Sequence, residues 1–458
     1  MNPKISEYYT SGKDRFLEGL KEFLRIPSVS TLPEHKPDIL RAAQFLVDEL
    51  TAMGMKNVRL IEGLGHPLVS AEWLEAPGKP TLLLYGHYDV QPPDPLDEWI
   101  SPPFEPQVRG DDIFARGAVD DKGQTYLLLK AVEGFLKTTG KLPINIRFLM
   151  EGEEESGGEA IDVYLRRQGK NLGADAALIC DTEMFAPELP TLCVGLRGIV
   201  YTELEVRGAR TDLHSGVYGG VAPNPLQALA EIIALLKDPS GNILIPGFYD
   251  NIEPPTAAEK EAWARLPFDE AKYLEAEVGS ACLTGEEGFS VIERTWVRPT
   301  LEVHGIRGGF TGEGAKTVIP AKATAKISMR LAPRMDPQKV FEAYRRYIES
   351  LTPEGTTVSV QLLSGSPASV VDTGSPFIQK AAEALTETFG KQTVYIRSGG
   401  SIPVVGLFQE HAGIPSVMMG FGLPDDNLHA PNEKFHLPNF YRGIEAVGKY
   451  LEMLGNAR

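Results

Sequence analysis

Acidic and histidine side chains are concentrated in a few short segments of this chain. The segments are GHYDV, GAVDDKG, EGEEESGG, CDTEM and NLHAPNE, in that order along the sequence. Imidazole nitrogens and carboxylate oxygens are ligands that zinc and manganese accept, and paired ions share a bridging group. Adjacent glutamates also repel one another strongly unless cations neutralise them. The segments together predict a centre that binds two metal ions through nitrogen and oxygen ligands.

Each segment also has a simpler interpretation. The side chains of His87 and Asp89 point to the same face of a strand, so Asp89 can orient the imidazole toward a metal. We therefore include Asp89 among the candidate catalytic residues. A buried histidine paired with an acid gives the same pattern. Asp120 or Asp121 can bridge cations or cap the helix that follows. A glutamate run is usually a solvated surface, but this one follows the apolar run INIRFLM. The joint pattern favours a metal centre more strongly than any one segment does.

The segments follow predicted strands. Apolar runs such as PTLLLYGHYDV and INIRFLM alternate with helical patterns such as GQTYLLLKAVEGFLKTTG. Buried strands separated by helices predict an α/β fold with a mostly parallel, doubly wound sheet. The ligand site of such a sheet lies at the carboxyl ends of its strands. His87, the run Glu153–Glu155 and Asp181 each follow a predicted strand, so we expect them to converge.

The pattern changes in the middle of the chain. IVYTELEVRG and KATAKISMRLAP alternate as half-buried strands do, and PNPLQALAEIIALLKD and DPQKVFEAYRRYIESL have helical spacing. This predicts a small inserted α+β domain of the ferredoxin-like, split βαβ type. Residues 240–300 lack a clear period and are predicted to form an extended excursion. The predicted organisation is a catalytic α/β domain (1–198 and 373–458) interrupted by an inserted lid and dimerisation domain (199–372).

Composition limits the class of protein. A length of 458 residues predicts two domains. A composition with 42% hydrophobic and 23% charged residues is typical of a soluble globular protein. A formal net charge of −17 disfavours a nucleic-acid partner. No signal-peptide pattern or membrane-spanning apolar run is apparent, so we expect no membrane association and a cytoplasmic location. The three cysteines have no CxxC spacing, which argues against disulfides or a thiolate zinc site.

In their order, these motifs resemble those of the dinuclear metallopeptidase family that includes carnosine dipeptidases, carboxypeptidase G and aminoacylase. The segments ARGAVDDKG, RTDLHSGVYGG, GAKTVIPAKATAKISMRL and SGGSIP add to the resemblance, which spans essentially the whole chain. IPGFYD, PTLEVHGI and GGFTGEGAKTVIP look specifically like the carnosine dipeptidase branch. The resemblance implies hydrolysis of small peptides with two divalent metal ions per subunit, zinc or manganese with cobalt possible. It also implies a homodimer.

The resemblance assigns roles to individual residues. The implied metal ligands are His87 and Asp181 for one ion, Glu155 and His429 for the other, and Asp120 between them. A cis peptide bond is implied between Asp120 and Asp121. The family's general base is the first glutamate of a pair, which is Glu154 when the run is aligned on Ser156. The additional Glu153 makes the register slightly ambiguous, and alignment on Ser156 settles it in favour of Glu154.

Further residues are implied in the inserted domain and near the carboxyl end. His214 matches a histidine that crosses the dimer interface to stabilise the oxyanion. Substrate would be held by Thr317, Arg330 and Ser401, with Arg330 binding the free α-carboxylate. Ser398 replaces a glutamate that is common in the branch, which leaves the fine specificity open.

Three other functions remain possible at this point. A deacylase of N-acylated amino acids, or a carboxypeptidase, would use the same residues. A non-catalytic, metal-stabilised binding protein would not need Glu154. A two-metal phosphoesterase is disfavoured by the net negative charge and by the lack of a phosphate-cradling Gly-Lys loop.

Overall fold

The computed structural model describes residues 1–456, which form two compact units. The first unit contains residues 1–194, 371–396 and the described residues from 403 onward. The second contains residues 195–370 and 397–402. The short segment 397–402, which contains Ser401, groups with the second unit. The catalytic, lid and dimerisation roles assigned to the two domains stay predictions.

The strands of both units are numbered here in chain order. They are β1 (Lys56–Ile61), β2 (Leu68–Trp73), β3 (Thr81–His87), β4 (Gln107–Arg109), β5 (Asp112–Phe114), β6 (Asn145–Glu151), β7 (Ala176–Ile179), β8 (Thr191–Leu196), β9 (Gly198–Arg207), β10 (Leu213–His214), β11 (Thr300–Gly308), β12 (Val318–Ile319), β13 (Lys322–Leu331), β14 (Thr357–Ser366), β15 (Ser369–Val370), β16 (Val394–Ser398), β17 (Ser416–Met418) and β18 (Lys434–His436).

The α-helices are numbered in the same way. They are α1 (Pro3–Ser11), α2 (Lys13–Leu24), α3 (Lys36–Met53), α4 (Lys122–Thr139), α5 (Glu159–Gln168), α6 (Ser215–Tyr218), α7 (Pro225–Ala234), α8 (Ala257–Ala264), α9 (Glu270–Lys272), α10 (Val291–Trp296), α11 (Pro337–Ser350), α12 (Pro376–Phe389), α13 (Pro403–Leu407) and α14 (Leu437–Asn456). Among residues 1–456, no helix combines the length and the hydrophobicity that crossing a lipid bilayer requires.

The first unit is built on a sheet with a parallel centre. Its strand order is β1-β2-β6-β3-β7-β17-β8, and the pairs β6–β3, β3–β7 and β7–β17 are parallel. Leu82, Leu83 and Leu84 of β3 are all fully buried, as expected for a strand covered on both faces. The outer pairs β1–β2, β2–β6 and β17–β8 are antiparallel. The predicted α/β class with a mainly parallel sheet is confirmed.

Helix α4 lies at the centre of the first unit. It is buried along almost its whole length and packs against α1, α2, α3, α14 and β3. Its buried residues include polar ones such as Lys122 and Glu133 as well as apolar ones, so the helix is enclosed by the core on every side. Asp120 and Asp121 directly precede this helix, so the core fixes their position.

The second unit is an α+β domain. Its antiparallel sheet has the order β11-β13-β9-β14, and the chain order β9-α7-β11-β13-α11-β14 is the ferredoxin-like pattern. The buried face of this sheet packs on α7 and α11. Residues 240–300, predicted to be an excursion, contain α8, α9 and α10. β11 was not predicted as a strand. Most side chains of this edge strand are exposed, so no buried apolar face marks it.

Candidate active site

The predicted site residues of the first unit lie at the carboxyl edge of the parallel strands. β3 ends at His87, β6 ends at Glu151 just before the glutamate run, and Asp181 follows β7 by two residues. His87 and Glu151 are paired directly across the parallel ladder. Because parallel strands end at the same edge of a sheet, the three motifs open onto one place.

His87 is fully buried and points one ring nitrogen at two acids. Its Nε2 lies 3.1 Å from Oδ1 of Asp120 and 3.9 Å from Oδ2 of Asp181. Its Nδ1 lies 3.1 Å from the carbonyl oxygen of Asp89 and 3.3 Å from the carboxylate of the same residue. With Nδ1 donating to Asp89, Nε2 carries the free lone pair that a metal ligand needs.

His429 occupies the equivalent place on the other side of Asp120. Its Nε2 lies 2.9 Å from Oδ2 of Asp120 and 3.2 Å from Oε1 of Glu155. Two groups result, namely His87–Asp120–Asp181 and Asp120–Glu155–His429, and within each group the ligand atoms lie within 4.8 Å of one another. One carboxylate that faces two ligand groups with its two oxygens fits a pair of divalent ions.

The carboxylates of the site are electrostatically frustrated. Burial, and then repulsion from Glu155, raise the pKa of Glu154 well above its usual value. Burial, and then repulsion from Asp121, do the same to the pKa of Asp181. Negative charges so close together need cations to stabilise them.

The pKa values of the two histidines are also raised, and for a histidine this favours the charged form. Burial lowers the pKa of His87, but hydrogen bonds to Asp120 and Asp89 outweigh burial and raise it well above the usual value. Hydrogen bonds to Asp120 and Glu155 raise the pKa of His429 to about 10. Burial raises the pKa of Asp120, but its bonds from both histidines lower it overall. The positive charge of the protonated histidines thus lies beside the carboxylates, where the surrounding negative charge favours cations.

Asp89 organises the glutamate run as well as His87. It is fully buried, and its carboxylate accepts from the backbone N–H of Glu154 at 3.3 Å and of Glu155 at 3.0 Å. Glu154 belongs to neither ligand group, although it lies in the same turn. The carboxylate of Glu153 is bonded elsewhere, to the backbone N–H of His66 at 2.5 Å and of Ala160 at 2.8 Å. The three adjacent glutamates therefore have three different environments.

Helix capping does not explain the two aspartates. Asp121 occupies the cap position of α4, but its side chain makes no capping bond to the helix backbone. It accepts instead from Oγ1 of Thr125 at 2.9 Å and from the backbone N–H of His87 at 3.2 Å. The peptide bond between Asp120 and Asp121 is cis.

Comparison with known proteins decides the family. Residues 83–453 match peptidase family M20/M25/M40. A Cys-Gly metallodipeptidase of Candida albicans is 33% identical over 465 residues, which cover 97% of this chain and 96% of the relative. The chain belongs to peptidase family M20/M25/M40. It is a metal-dependent hydrolase of peptide bonds, and the family predicted from the motifs is confirmed.

Solved structures of the M20 family agree with this fold. Human carnosine dipeptidase 1 has a TM-score of 0.88 at 29% identity, covering 99% of this chain and 98% of that chain. An M20 family metallo-carboxypeptidase from Sulfolobus solfataricus has a TM-score of 0.87 at 32% identity, covering 96% of this chain and 99% of that chain. Both likenesses extend over both units.

The remaining predicted site residues lie in the second unit. His214 is exposed and ends β10, which pairs with β12, and Thr317 directly precedes β12. Arg330 is half-buried on β13, and its Nη1 donates to Oγ of Ser401 at 2.8 Å. Oγ of Ser401 in turn donates to the carbonyl oxygen of Arg197 at 2.5 Å. His214 lies near Thr317 along the β10–β12 ladder, and Arg330 contacts Ser401.

Several neighbours of the site were not predicted as functional residues. Nε2 of Gln91 donates to Oε2 of Glu155 at 2.8 Å. Tyr85 donates to Oε1 of Glu151 at 2.5 Å, and burial raises the pKa of this carboxyl to about 8. Glu433 is fully buried beside the loop that carries Asp120. Each lies in or next to a quoted motif, but a single polar residue there cannot be told from a surface residue by type alone.

Proposed function

We propose that this chain hydrolyses dipeptides, with two divalent ions held by His87, Asp120, Glu155, Asp181 and His429 and with Glu154 as general base. The observation that supports this most directly is the orientation of Asp120, whose two oxygens lie 3.1 Å and 2.9 Å from two different histidines. A non-catalytic binding protein would not need Glu154, a further acid outside both ligand groups. When bound, such ions polarise a carbonyl and lower the pKa of a water molecule toward neutrality.

Glu154 moves the proton in this proposal. Its carboxylate lies outside both ligand groups, so it is available to take a proton from the attacking water. It then delivers the proton to the leaving amine. Asp89 keeps Glu154 and Glu155 in their different places, because it holds the backbone N–H groups of both. The base therefore stays separate from the ligand although the two are adjacent in sequence.

The second unit supplies substrate recognition in this proposal. Arg330 binds the free α-carboxylate of the peptide, since a guanidinium matches a carboxylate in a bidentate geometry. Ser401 and Thr317 complete the substrate contacts. His214 stabilises the oxyanion across a homodimer interface, and the second unit closes as a lid.

The substrate is best supported as a dipeptide. The relatives named above are a Cys-Gly metallodipeptidase and a carnosine dipeptidase, so thiol-containing and histidine-containing dipeptides are the first to test. A metallo-carboxypeptidase of similar structure favours one alternative, the removal of a carboxy-terminal residue from longer or acylated substrates. Zinc or manganese is proposed as the metal, with cobalt as a substitute. The cytoplasmic location stays a prediction.

Replacement of Glu154 tests the role of the base. We expect Glu154→Gln to lower kcat by about 10²- to 10⁴-fold, the usual contribution of a general base, while both metals are retained. Elemental analysis and dipeptide hydrolysis measure the two outcomes. Glu153→Gln is the matched control, because that carboxylate is bonded to backbone N–H groups outside the ligand groups. Loss of metal in folded Glu154→Gln protein would show that base and ligand were exchanged.

The same variant tests the shared site. Glu154→Gln subunits mixed with His214→Ala subunits form some dimers in which one complete site is assembled from the two chains. We expect the mixture to recover activity that neither variant has alone. A mixture as inactive as its components, with mixed dimers shown to be present, would count against a histidine that acts across the interface.

A further inference from the structure

The loop that carries His429 is joined to the loop that carries Asp120 at its base. β18 pairs with β5, and the backbone N–H of Ala115 donates to the carbonyl oxygen of Glu433 at 3.1 Å. From this short ladder, one loop leads forward to Asp120 and the other leads back to His429. The ladder places the two loops side by side, and bonds outside the ladder hold their outer parts.

Glu433 supplies that support with its side chain. Its Oε1 accepts from the backbone N–H of Val119 at 3.0 Å and of Asp120 at 3.1 Å. Its Oε2 accepts from the backbone N–H of Gly117 at 2.9 Å and from Nη1 of Arg116 at 2.7 Å. A carboxylate offers about four acceptor positions, and these four donors use them. With no acceptor position left, Glu433 cannot itself be a metal ligand or a base.

The His429 loop needs such support because of its backbone. Asn427, His429 and Asn432 all have positive φ angles, of 55°, 59° and 64°. Asparagine adopts this conformation more readily than most residues, whereas His429 holds it at a cost that surrounding bonds must offset. The Asn432 side chain accepts from the backbone N–H of Ile100 at 2.8 Å and donates to the carbonyl oxygen of Glu98 at 2.9 Å. Asn432 thus fixes the loop on one side and Glu433 on the other.

We infer that Glu433 is a positioning residue that sets Asp120 against His429 and thereby forms the metal site on the His429 side. This inference rests on the ligand set of the proposed function. The new element is that Glu433, which is not one of the proposed ligands, determines the geometry of one of the two proposed metal sites. Residues that hold metal ligands in place typically contribute 10- to 100-fold to metal affinity. Glu433 belongs to the loop of His429 and holds the backbone of Asp120.

Cobalt titration of Glu433→Gln tests the inference. We expect wild-type protein to bind two equivalents of Co²⁺, and Glu433→Gln to bind one of them about 10- to 100-fold more weakly. The visible absorption of the weakened site should change in shape, because the angle between Asp120 and His429 is no longer fixed. Glu433→Asp keeps the charge on a shorter side chain and should recover part of the affinity, and it is the variant to use if Glu433→Gln does not fold.

Glu133→Gln is the matched control. Glu133, in the second half of α4, is another buried carboxylate of the first unit. It is hydrogen-bonded to Tyr8, Arg15 and Lys130. Its removal should lower thermal stability but leave both cobalt affinities within about threefold of wild type, because it supports no predicted ligand. Equal weakening of the two sites in Glu433→Gln, or cobalt binding unchanged from wild type, would overturn the inference. Wild-type protein that binds no cobalt would refute the proposed function as well.

Discussion

Asp89→Asn is the substitution whose effect can be worked out most fully from the structure. Asp89 is fully buried, and its carboxylate receives three donors. Oδ1 lies 3.3 Å from Nδ1 of His87 and 3.3 Å from the N–H of Glu154, and Oδ2 lies 3.0 Å from the N–H of Glu155. Asparagine offers one oxygen in place of two. One side of this arrangement must then face an amide N–H₂ group.

The loss falls on the glutamate turn more than on the histidine. The carbonyl oxygen of Asp89 lies 3.1 Å from Nδ1 of His87 and is unchanged in the variant, so the ring keeps an acceptor. If the asparagine oxygen remains toward Glu154, its N–H₂ group opposes the backbone N–H of Glu155. A buried donor left without an acceptor costs about 1–3 kcal/mol. At about 1.4 kcal/mol for each tenfold, this corresponds to roughly 5- to 150-fold in a rate or binding constant.

The same free energy is divided between stability and activity. If the turn stays in place, the variant is less stable by about 1–3 kcal/mol and remains active. If the turn relaxes, stability is regained while Glu154 and Glu155 move, and kcat/KM falls by up to the same factor. We therefore expect the two losses, measured by urea unfolding and by dipeptide hydrolysis of metal-saturated protein, to sum to about 1–3 kcal/mol.

A surface variant provides the comparison. Asp162→Asn removes a carboxylate that pairs with Arg166 one helical turn away on α5, and we expect it to change both quantities by less than about 0.5 kcal/mol. An Asp89→Asn protein as stable as wild type and within twofold of its kcat/KM would refute the reasoning, because a buried acceptor would then have been removed without consequence.

Two further predictions follow from the charges. His429, with a pKa of about 10, stabilises the metal-free fold below its unfolded value near 6.5, and this stabilisation is lost as pH rises through about 10. Metal binding requires the neutral ring, so calorimetry at pH 7 in buffers of different ionisation enthalpy should detect proton release, and its absence would contradict the shift. Arg330→Met should raise KM for dipeptides at least about tenfold but leave KM for dipeptide amides unchanged, since a hydrogen bond to a charged group contributes about 1.5–3 kcal/mol. Equal effects on both substrates would exclude recognition of the carboxylate by Arg330.

The sequence predicted the strands of the parallel centre because they are apolar throughout and end in polar motifs. It did not predict the antiparallel strands β1 and β2, which end with mixed polar and apolar residues, or β11 at the edge of the second sheet. A buried strand shows a pattern because its environment is uniform. β1 and β11 lie at the edges of their sheets and are largely exposed, so no uniformly apolar run marks them. β2 lies inside its sheet, but Ser70 and Glu72 interrupt its apolar run.

The glutamate run shows where spacing alone becomes insufficient. In an extended strand Glu153 and Glu155 would face one side and Glu154 the other. The chain instead turns at Glu154–Ser156, and Gly157 and Gly158 continue the reversal with φ angles of 112° and 65°. The alternation of side chains along a strand therefore does not predict which glutamate accepts from backbone N–H groups, which one faces His429 and which one lies outside both ligand groups. Resemblance to known proteins distinguished Glu154 from Glu155, and geometry separates Glu153 from both.

The proposed ligands also differ in what holds them. His87 ends a central strand, and Asp120 immediately precedes a helix that is buried on all sides, so the core of the first unit fixes both. His429 is half-exposed and lies in a loop with an unfavourable backbone conformation. A core-borne ligand tolerates the loss of one neighbour, whereas a loop-borne ligand depends on each bond that enforces its conformation. The ion on the His429 side should therefore be the first to leave on mild chelation, and the one most affected by changes outside the ligand set.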